Sequence, residues 1–228
     1  MGELNVLAIE TATSACAVGL AATTGLELTR VIAGERHHNE VLVATIADLL
    51  SQAKLAPHAL DRVVVDHGPG LFTGLRVGIA TAIALAQGVG ASLVEVSSLE
   101  LLAHGAQRDG VRDEFVAVVD ARRGELFVQR FHLGDHVRVL SAPLVTTPAA
   151  LLATWRTQEN TVTFGGDGLA RYVDVLAPLA PHVATALSVP PVLEALRLGA
   201  TREVAATVTP LYLREPDAVV NFSTRERS

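Results

Sequence analysis

The sequence has a single cysteine, so no disulfide can form within the chain. Cys16 stands in an alternating apolar stretch, which predicts a buried thiol. Aromatic residues are also scarce, at 4% of 228 residues, whereas hydrophobic residues make up 50%. A chain of this length buries a sizeable core, and its small apolar residues predict helices packed closely on a sheet.

Basic residues are in the minority, because 18 lysines and arginines stand against 24 aspartates and glutamates, for a net charge of −6. Proteins that bind nucleic acid directly present a basic surface, since neutralised phosphates supply much of their affinity. Any association with RNA is therefore expected to be indirect. The N-terminal residues lack the pattern of a signal peptide, and no uninterrupted apolar run is long enough for a membrane span. We expect a cytoplasmic protein without membrane contact.

Apolar runs and turn residues divide the chain into two halves that open in the same way. Each half starts with an apolar strand, an acidic residue at its end and a β-hairpin, and Glu10 and Asp120 occupy the matching places. We interpret this repetition as an internal duplication. The alternation of strands and helices predicts an α/β fold with mixed sheets flanked by helices, in an N-terminal lobe of residues 1–104 and a smaller C-terminal lobe of residues 105–228.

The periodicities predict individual elements as well. Ser97 and Glu100 have the spacing of a capping box at the start of one helix. Strands are predicted at 4–9, 15–22, 26–32, 62–65, 92–96, 115–119, 125–132 and 161–164, and helices at 39–54, 73–87, 98–104, 147–155 and 190–198.

The most informative segment is the glycine-rich stretch at residues 66–78, which joins a strand to a helix of small residues. Two interpretations are open. Backbone N–H groups of such a loop can hold a phosphate, or the glycines can let two backbones pack closely. No Walker A lysine follows the last glycine. In a phosphate site, hydroxyls and amides would bind phosphate and a carboxylate would bind its metal. The candidate nucleotide-binding residues are then Glu10, Thr11, Thr13, Gly68 and Gly70.

The sequence shows no assembled catalytic or metal-binding group. His37 and His38 have no partner at helical spacing, because positions 41 and 42 are valine and leucine. We therefore predict no metal site, and a metalloprotease-like activity has little support. The G-x-S-x-G sequence of a serine nucleophile does not occur.

Five segments of the sequence together carry a family pattern: LAIETAT at 7–13, GPGLFTGLRVG at 68–78, VSSL at 96–99, DARRGE at 120–125 and LYLR at 211–214. In these segments the chain resembles the TsaB (YeaZ) family of bacterial proteins, which take part in the synthesis of threonylcarbamoyladenosine in tRNA. The resemblance implies a two-lobed fold of the actin, Hsp70 and sugar-kinase type, with a degenerate second lobe. Leu71 and Glu10 depart from the family, where Ser and Asp are more usual.

The resemblance also implies a function without catalysis. The chain would be a scaffold and activator that dimerises with a TsaD-type transferase, contacts a TsaE-type ATPase and meets tRNA only through the complex. The isolated chain would form a homodimer, and ATP or ADP with Mg²⁺ at a partner interface is the one cofactor to consider. The alternative, favoured by the two acidic turns, is a nucleotide-binding kinase-like or ATPase-like enzyme. The predicted partner interface consists of Leu42, Ile46, Thr73, Arg76, Val77, Ala80 and Ala84.

Overall fold

The computed structural model describes residues 4–33, 38–155, 162–184 and 187–214. The chain up to residue 108 contains β1 (Val6–Glu10), β2 (Cys16–Ala21), β3 (Glu27–Ile32), α1 (His38–Gln52), β4 (Arg62–Asp66), α2 (Phe72–Val89), β5 (Ser92–Val96) and α3 (Ser98–Arg108). The chain after it contains β6 (Asp113–Arg122), β7 (Glu125–Leu133), β8 (Val137–Val139), β9 (Leu144–Thr146), α4 (Pro148–Trp155), β10 (Val162–Gly165), α5 (Asp167–Arg171), α6 (Val173–Leu176) and α7 (Val192–Thr201).

The first sheet, sheet I, has the strand order β3-β2-β1-β4-β5. β2 and β3 are antiparallel to their neighbours, whereas β4 runs parallel to β1 and β5 parallel to β4. β1 and β2 are buried along their whole length because helices cover both faces. Leu7 and Ile9 pack into the core beneath α1 and α2, and the alternate residues Val6 and Ala8 pack into the core beneath α7.

The second sheet, sheet II, repeats the central part of this topology. Its order is β10-β6-β7-β8, with β9 also paired to β7. β10 runs parallel to β6 as β4 does to β1, and β7 is antiparallel to β6 as β2 is to β1. A helix follows β4 in sheet I and β10 in sheet II. No described strand of sheet II corresponds to β5. The predicted α/β fold with mixed sheets flanked by helices is confirmed.

The C-terminal part of the chain returns to sheet I. α7 packs against β1, β2 and β4. Gly199 lies so close to β4 that a Cβ there would be 2.1 Å from Val64 Cγ2. Beyond α7, Ala205 N donates to Leu93 O and Leu211 N donates to His67 O. Each sheet lies on its own side of residue 104, but the last described helix crosses back, so the division at that residue stays a prediction.

The predictions of individual strands, helices and caps agree with the structure in most cases but not in all. Most of the predicted strands and helices are confirmed within a few residues, and the burial of Cys16 is confirmed. The short elements β8, β9, α5 and α6 were not predicted. The capping box was wrong: Ser97 is the N-cap of α3 but makes no side-chain capping bond. The Glu100 carboxylate instead binds the Arg202 guanidinium, which arrives from the C-terminal part of the chain.

α2 is unusually apolar for a helix on a protein surface. Only six of its 18 residues are buried. By length and composition alone it is the one helix among the described residues that could cross a membrane. Core helices of soluble proteins have the same composition, so this is weak evidence for a membrane span. It does show that much of the outward face of α2 is small or apolar.

Candidate functional site

Two carboxyl groups meet where the central parallel strands of sheet I end. Ile9 of β1 is in register with Val65 of β4, so the next residues, Glu10 and Asp66, lie side by side. Side chains at matching positions of neighbouring parallel strands project from the same face of the sheet, with the strands about 4.8 Å apart. Both side chains are fully buried. The sequence predicted a role for Glu10 and did not identify Asp66.

Each carboxyl group holds the loop that follows it. Glu10 Oε1 accepts a hydrogen bond from Ala12 N at 2.7 Å. Asp66 Oδ1 accepts from Gly68 N at 2.8 Å and from the Ser98 hydroxyl at 2.9 Å. The second oxygen of each group, Glu10 Oε2 and Asp66 Oδ2, is buried without a hydrogen-bond partner among the described residues. Such an atom is costly, because it has lost its hydration without replacement.

The surroundings of the pair favour the protonated form of the carboxyl groups. Burial, followed by the charge of Asp66, holds the pKa of Glu10 well above its ordinary value. Burial also raises the pKa of Asp66 to about 7, against the lowering effect of its bonds from Gly68 and Ser98. Desolvation disfavours an ionised carboxylate, and a neighbouring carboxylate adds repulsion.

The glycine-rich segment packs directly on the turn after β1. Leu71 N donates to Ala12 O at 2.6 Å. A Cβ on Gly70 would lie 2.2 Å from the same carbonyl oxygen, so only glycine fits there. In the second turn of α2, a Cβ on Gly78 would lie 2.2 Å from Thr11 Oγ1. These contacts support the close-packing interpretation of the segment.

The structure brings the five candidate nucleotide-binding residues together, but it uses their polar groups internally. The Thr11 hydroxyl donates to Gly74 O at 2.9 Å, and Thr13 Oγ1 accepts from Ala15 N at 3.4 Å. Gly68 donates its N–H to Asp66, with a φ of 110° that favours glycine. Glu10, Thr11 and Thr13 are all buried. A phosphate at this position would have to displace contacts that the chain makes with itself.

A polar cleft of about 400 Å³ is lined by Ser14 from the first half of the chain and by residues of the second half. Ser14, from the turn after β1, is exposed at its edge. Opposite it lies Asp120, the counterpart of Glu10, whose Oδ2 is 3.2 Å from Arg122 Nη1 and 4.0 Å from Arg171 Nε. The cleft therefore contains an acidic group that two arginines already neutralise.

Asp167, at the start of α5, completes the acidic residues around the cleft. Its Oδ1 accepts from Asp120 N at 2.9 Å. Burial, with repulsion from Asp120, raises the pKa of Asp167 to about 6. Asp167 does not stand out in the sequence, although the glycines on either side of it indicate a tight turn after a strand. Its charge also acts on Glu10, so the acidic residues of the two halves affect each other.

The predicted partner-interface residues fall into two groups. Thr73, Arg76, Ala80 and Ala84 lie exposed along one side of α2, and Val77 is half-buried beside them. Leu42 and Ile46 are buried in the core beneath α1 and offer no surface in the isolated chain. The exposed side of α1 carries Val43, which is 63% exposed, Ala44 and Ala47, together with the polar residues Glu40, Asp48 and Gln52. We use the name α1–α2 face for seven of the exposed residues of the two helices, namely Val43, Ala44, Ala47, Thr73, Arg76, Ala80 and Ala84.

An aromatic cluster adjoins this face at the start of α2. The Phe72 ring stacks on Tyr212 with 5.3 Å between ring centroids. The Arg76 guanidinium lies 3.7 Å from the Phe72 ring centroid, and its Nε donates to the Tyr212 hydroxyl at 3.0 Å. All three side chains remain exposed. Exposed aromatic residues and arginine are enriched in protein interfaces, so the cluster extends the surface that a partner could use.

The histidines that the sequence analysis rejected as a metal site cannot be placed, since His37 and the side chain of His38 lie outside the described residues. Within the ranges that the structure describes, no group of three or more histidine, cysteine, aspartate or glutamate residues is arranged to hold a metal ion.

Comparisons with known proteins connect this geometry to a family. The family described as "TsaD: tRNA N6-adenosine threonylcarbamoyltransferase" matches residues 32–187 of this chain. An uncharacterised protein of Mycobacterium leprae is 33% identical over 93% of this chain, which spans only 55% of that protein. The tRNA threonylcarbamoyladenosine biosynthesis protein TsaB of Escherichia coli is 33% identical over 54% of this chain and 53% of its own length.

A solved structure supports the same relationship. YeaZ from Pseudomonas aeruginosa superposes with a TM-score of 0.76 at 26% identity, covering 92% of this chain and all of its own. The family match extends over more than half of the chain, and the structural match extends over both sheets. The chain thus belongs to the family that the TsaD description names, and within that family it groups with the TsaB (YeaZ) proteins.

Proposed function

We propose that this chain is a non-catalytic scaffold and activator subunit in the formation of N6-threonylcarbamoyladenosine in tRNA. In this proposal it dimerises with a TsaD-type transferase through the α1–α2 face, and the transferase carries out the chemistry. The observation that carries the proposal is the contrast between two regions. The residues at the strand ends of sheet I are buried and bind mainly to the chain itself, whereas the α1–α2 face is largely apolar and exposed.

The composition of the α1–α2 face supports a helix-packing interface. α1 and α2 pack side by side on sheet I, so their exposed sides form one continuous surface. Ala44, Ala47, Ala80 and Ala84 are small, which lets helices of another protein approach closely. Val43 and the Phe72 cluster at its edges would supply larger apolar contacts. A core of apolar contacts with an arginine beside it is typical of protein interfaces.

The family relationship supports the choice of partner. The family to which this chain belongs is described by its transferase, so the transferase and this chain share a fold. Two related subunits can pair through corresponding helices in a nearly symmetric way. The same surface would let the isolated chain pair with itself, and we propose that it forms a homodimer without its partner.

The remaining partners follow from the proposed complex. A TsaE-type ATPase would contact the assembled pair, and tRNA would be held mainly by the transferase, in keeping with the acidic charge of this chain. A function on tRNA is in keeping with a cytoplasmic protein, and we propose this location. ATP or ADP with Mg²⁺ would bind at the interface between subunits rather than to the isolated chain.

The alternative is an ATPase-like or kinase-like enzyme, and one observation favours it: the polar cleft is lined by Ser14 from the first half of the chain and by the acidic residues Asp120 and Asp167 from the second. Titration of the isolated chain with ATP and Mg²⁺ distinguishes the two functions. We expect no saturable binding with a Kd below about 1 mM. The reason is that Arg122 and Arg171 neutralise Asp120, and Glu10 and Asp66 are buried.

The titration has an internal control. If ATP does bind, replacing the exposed Ser14 by tryptophan should block it, because Ser14 lines the cleft. Binding that is tight, that the Ser14→Trp variant loses and that is accompanied by hydrolysis would replace the scaffold proposal with the enzyme. Calorimetry and phosphate release measure the two quantities separately.

A further inference from the structure

The two unpartnered oxygens at the ends of β1 and β4 have a common explanation. Glu10 Oε2 and Asp66 Oδ2 belong to side chains that project from the same face of adjacent, in-register strands. Both are fully buried, and no described donor reaches either of them. Two carboxyl groups side by side satisfy each other when one of them keeps its proton, because the protonated group then donates and the ionised group accepts.

We propose that Glu10 and Asp66 share one proton between Oε2 and Oδ2, and that this carboxyl–carboxylate hydrogen bond fastens the turn after β1 to the glycine-rich segment. The outer oxygens already hold one loop each, Ala12 N on one side and Gly68 N on the other. The shared proton therefore links the Glu10 and Asp66 carboxyl groups, and through them the two loops, just before the start of α2.

The groups around the pair favour the retention of this proton. Asp167 at the start of α5 raises the pKa of Glu10, and Glu100 on α3 raises the pKa of Asp66. On β2, the Cys16 thiol is also buried; burial, followed by the charge of Glu10, raises its pKa to about 11, so it remains neutral. The charged neighbours that act on the pair are thus carboxylates, and complete ionisation of the pair would place several negative charges together in a buried region.

The shared proton makes the stability of the protein depend on pH. The folded chain keeps a proton that the unfolded chain loses near pH 4, the ordinary range of a carboxyl group. Stability is therefore greatest below that pH and falls as pH rises toward about 7, the raised pKa of Asp66. Because the pKa of Glu10 is also held well above its ordinary value, the dependence continues until the folded pair has lost its shared proton. Asp167 contributes in the same direction up to about pH 6.

Replacing Glu10 by glutamine separates the contribution of the pair to the pH dependence of stability from that of the other carboxyl groups. The side-chain amide of the Glu10→Gln variant can donate permanently to Asp66 Oδ2, so it takes the place of the proton. Between about pH 5 and about pH 7 we expect the folding equilibrium constant of the wild type to fall by roughly ten- to a hundredfold. In Glu10→Gln most of this fall should disappear. The exposed Glu27→Gln on β3 should behave as the wild type.

Infrared spectroscopy tests the proton directly and needs no variant to fold well. At about pH 6.5, where exposed carboxyl groups are ionised, the wild type should show the carbonyl band of a protonated carboxyl group. The band should be weaker in Glu10→Gln and in Asp66→Asn and unchanged in Glu27→Gln. A wild-type spectrum without this band would overturn the proposal. A wild-type pH dependence that persists in full in Glu10→Gln would do so as well.

Discussion

Replacing Ala80 by glutamate is expected to abolish the association of this chain with its transferase partner. Ala80 lies at the middle of α2 on the exposed α1–α2 face. A glutamate there would hold the helices apart and place a charge in an apolar contact, where it would lose its hydration. We expect an affinity at least about 100-fold weaker, which corresponds to about 2.7 kcal/mol. Co-purification and calorimetric titration of the two subunits measure the effect.

A second variant on the same face and a control variant on another helix test whether the effect of Ala80→Glu is due to the α1–α2 face. Ala84→Arg lies one turn along the same face and carries the opposite charge, so it should have the same effect if close packing is what matters. Ala149→Glu places the same side chain at an exposed position of α4 in the second lobe and should leave the association unchanged. Both helices should stay folded, as judged by unaltered thermal unfolding. Full association of the Ala80→Glu and Ala84→Arg chains with the transferase would remove the α1–α2 face from the interface.

Of the substitutions proposed here, Gly70→Ala is expected to lower the stability of the fold most. The new methyl group would lie 2.2 Å from Ala12 O and 2.7 Å from Ala12 Cβ, so the backbone of one loop would have to move. That movement would break the bond from Leu71 N to Ala12 O. We expect a loss of about 3 kcal/mol in the free energy of unfolding, and a Tm lower by about 6–12 °C.

Gly88→Ala, near the end of α2, is the matched control. A Cβ at this position meets no atom within 4 Å. Because glycine weakens a helix relative to alanine, this variant should be more stable than the wild type by about 0.5–1 kcal/mol. Urea unfolding of both variants at one pH measures the difference. Equal stability of Gly70→Ala and Gly88→Ala would show that the glycine-rich segment does not pack tightly against the turn after β1.

The repeated topology could be predicted because each half of the chain carries its own local signals. Apolar runs, turn residues and the matching positions of Glu10 and Asp120 are properties of neighbouring residues, and they indicate the duplication. The adjacency of β1 and β4 is a property of the whole sheet, and the sequence analysis therefore found Glu10 without its neighbour Asp66. The return of α7 to sheet I is equally non-local, since Gly199 and Val64 are far apart in the sequence.

The α1–α2 face shows a second respect in which the sequence alone is insufficient: helical periodicity does not tell which side of a helix a partner can reach. Leu42 and Ile46 were chosen because apolar residues at helical spacing mark one side of a helix. In α1 that side faces the core, and the side that a partner can reach carries Val43, Ala44 and Ala47 beside polar residues such as Asp48. In α2 almost every position is apolar or small, so the periodicity indicates no direction. Only the packing on sheet I shows that Ala80 and Ala84 face outward.

The central claim is that the chain acts by activating a partner. Its most direct test is the formation of threonylcarbamoyladenosine on tRNA by the transferase of the same organism, with and without this chain. The account predicts that the modified nucleoside accumulates only when both subunits are present, that this chain alone forms none, and that the Ala80→Glu chain fails to stimulate the transferase. A transferase that reaches the same rate without this chain, or a chain that modifies tRNA by itself, would contradict the account.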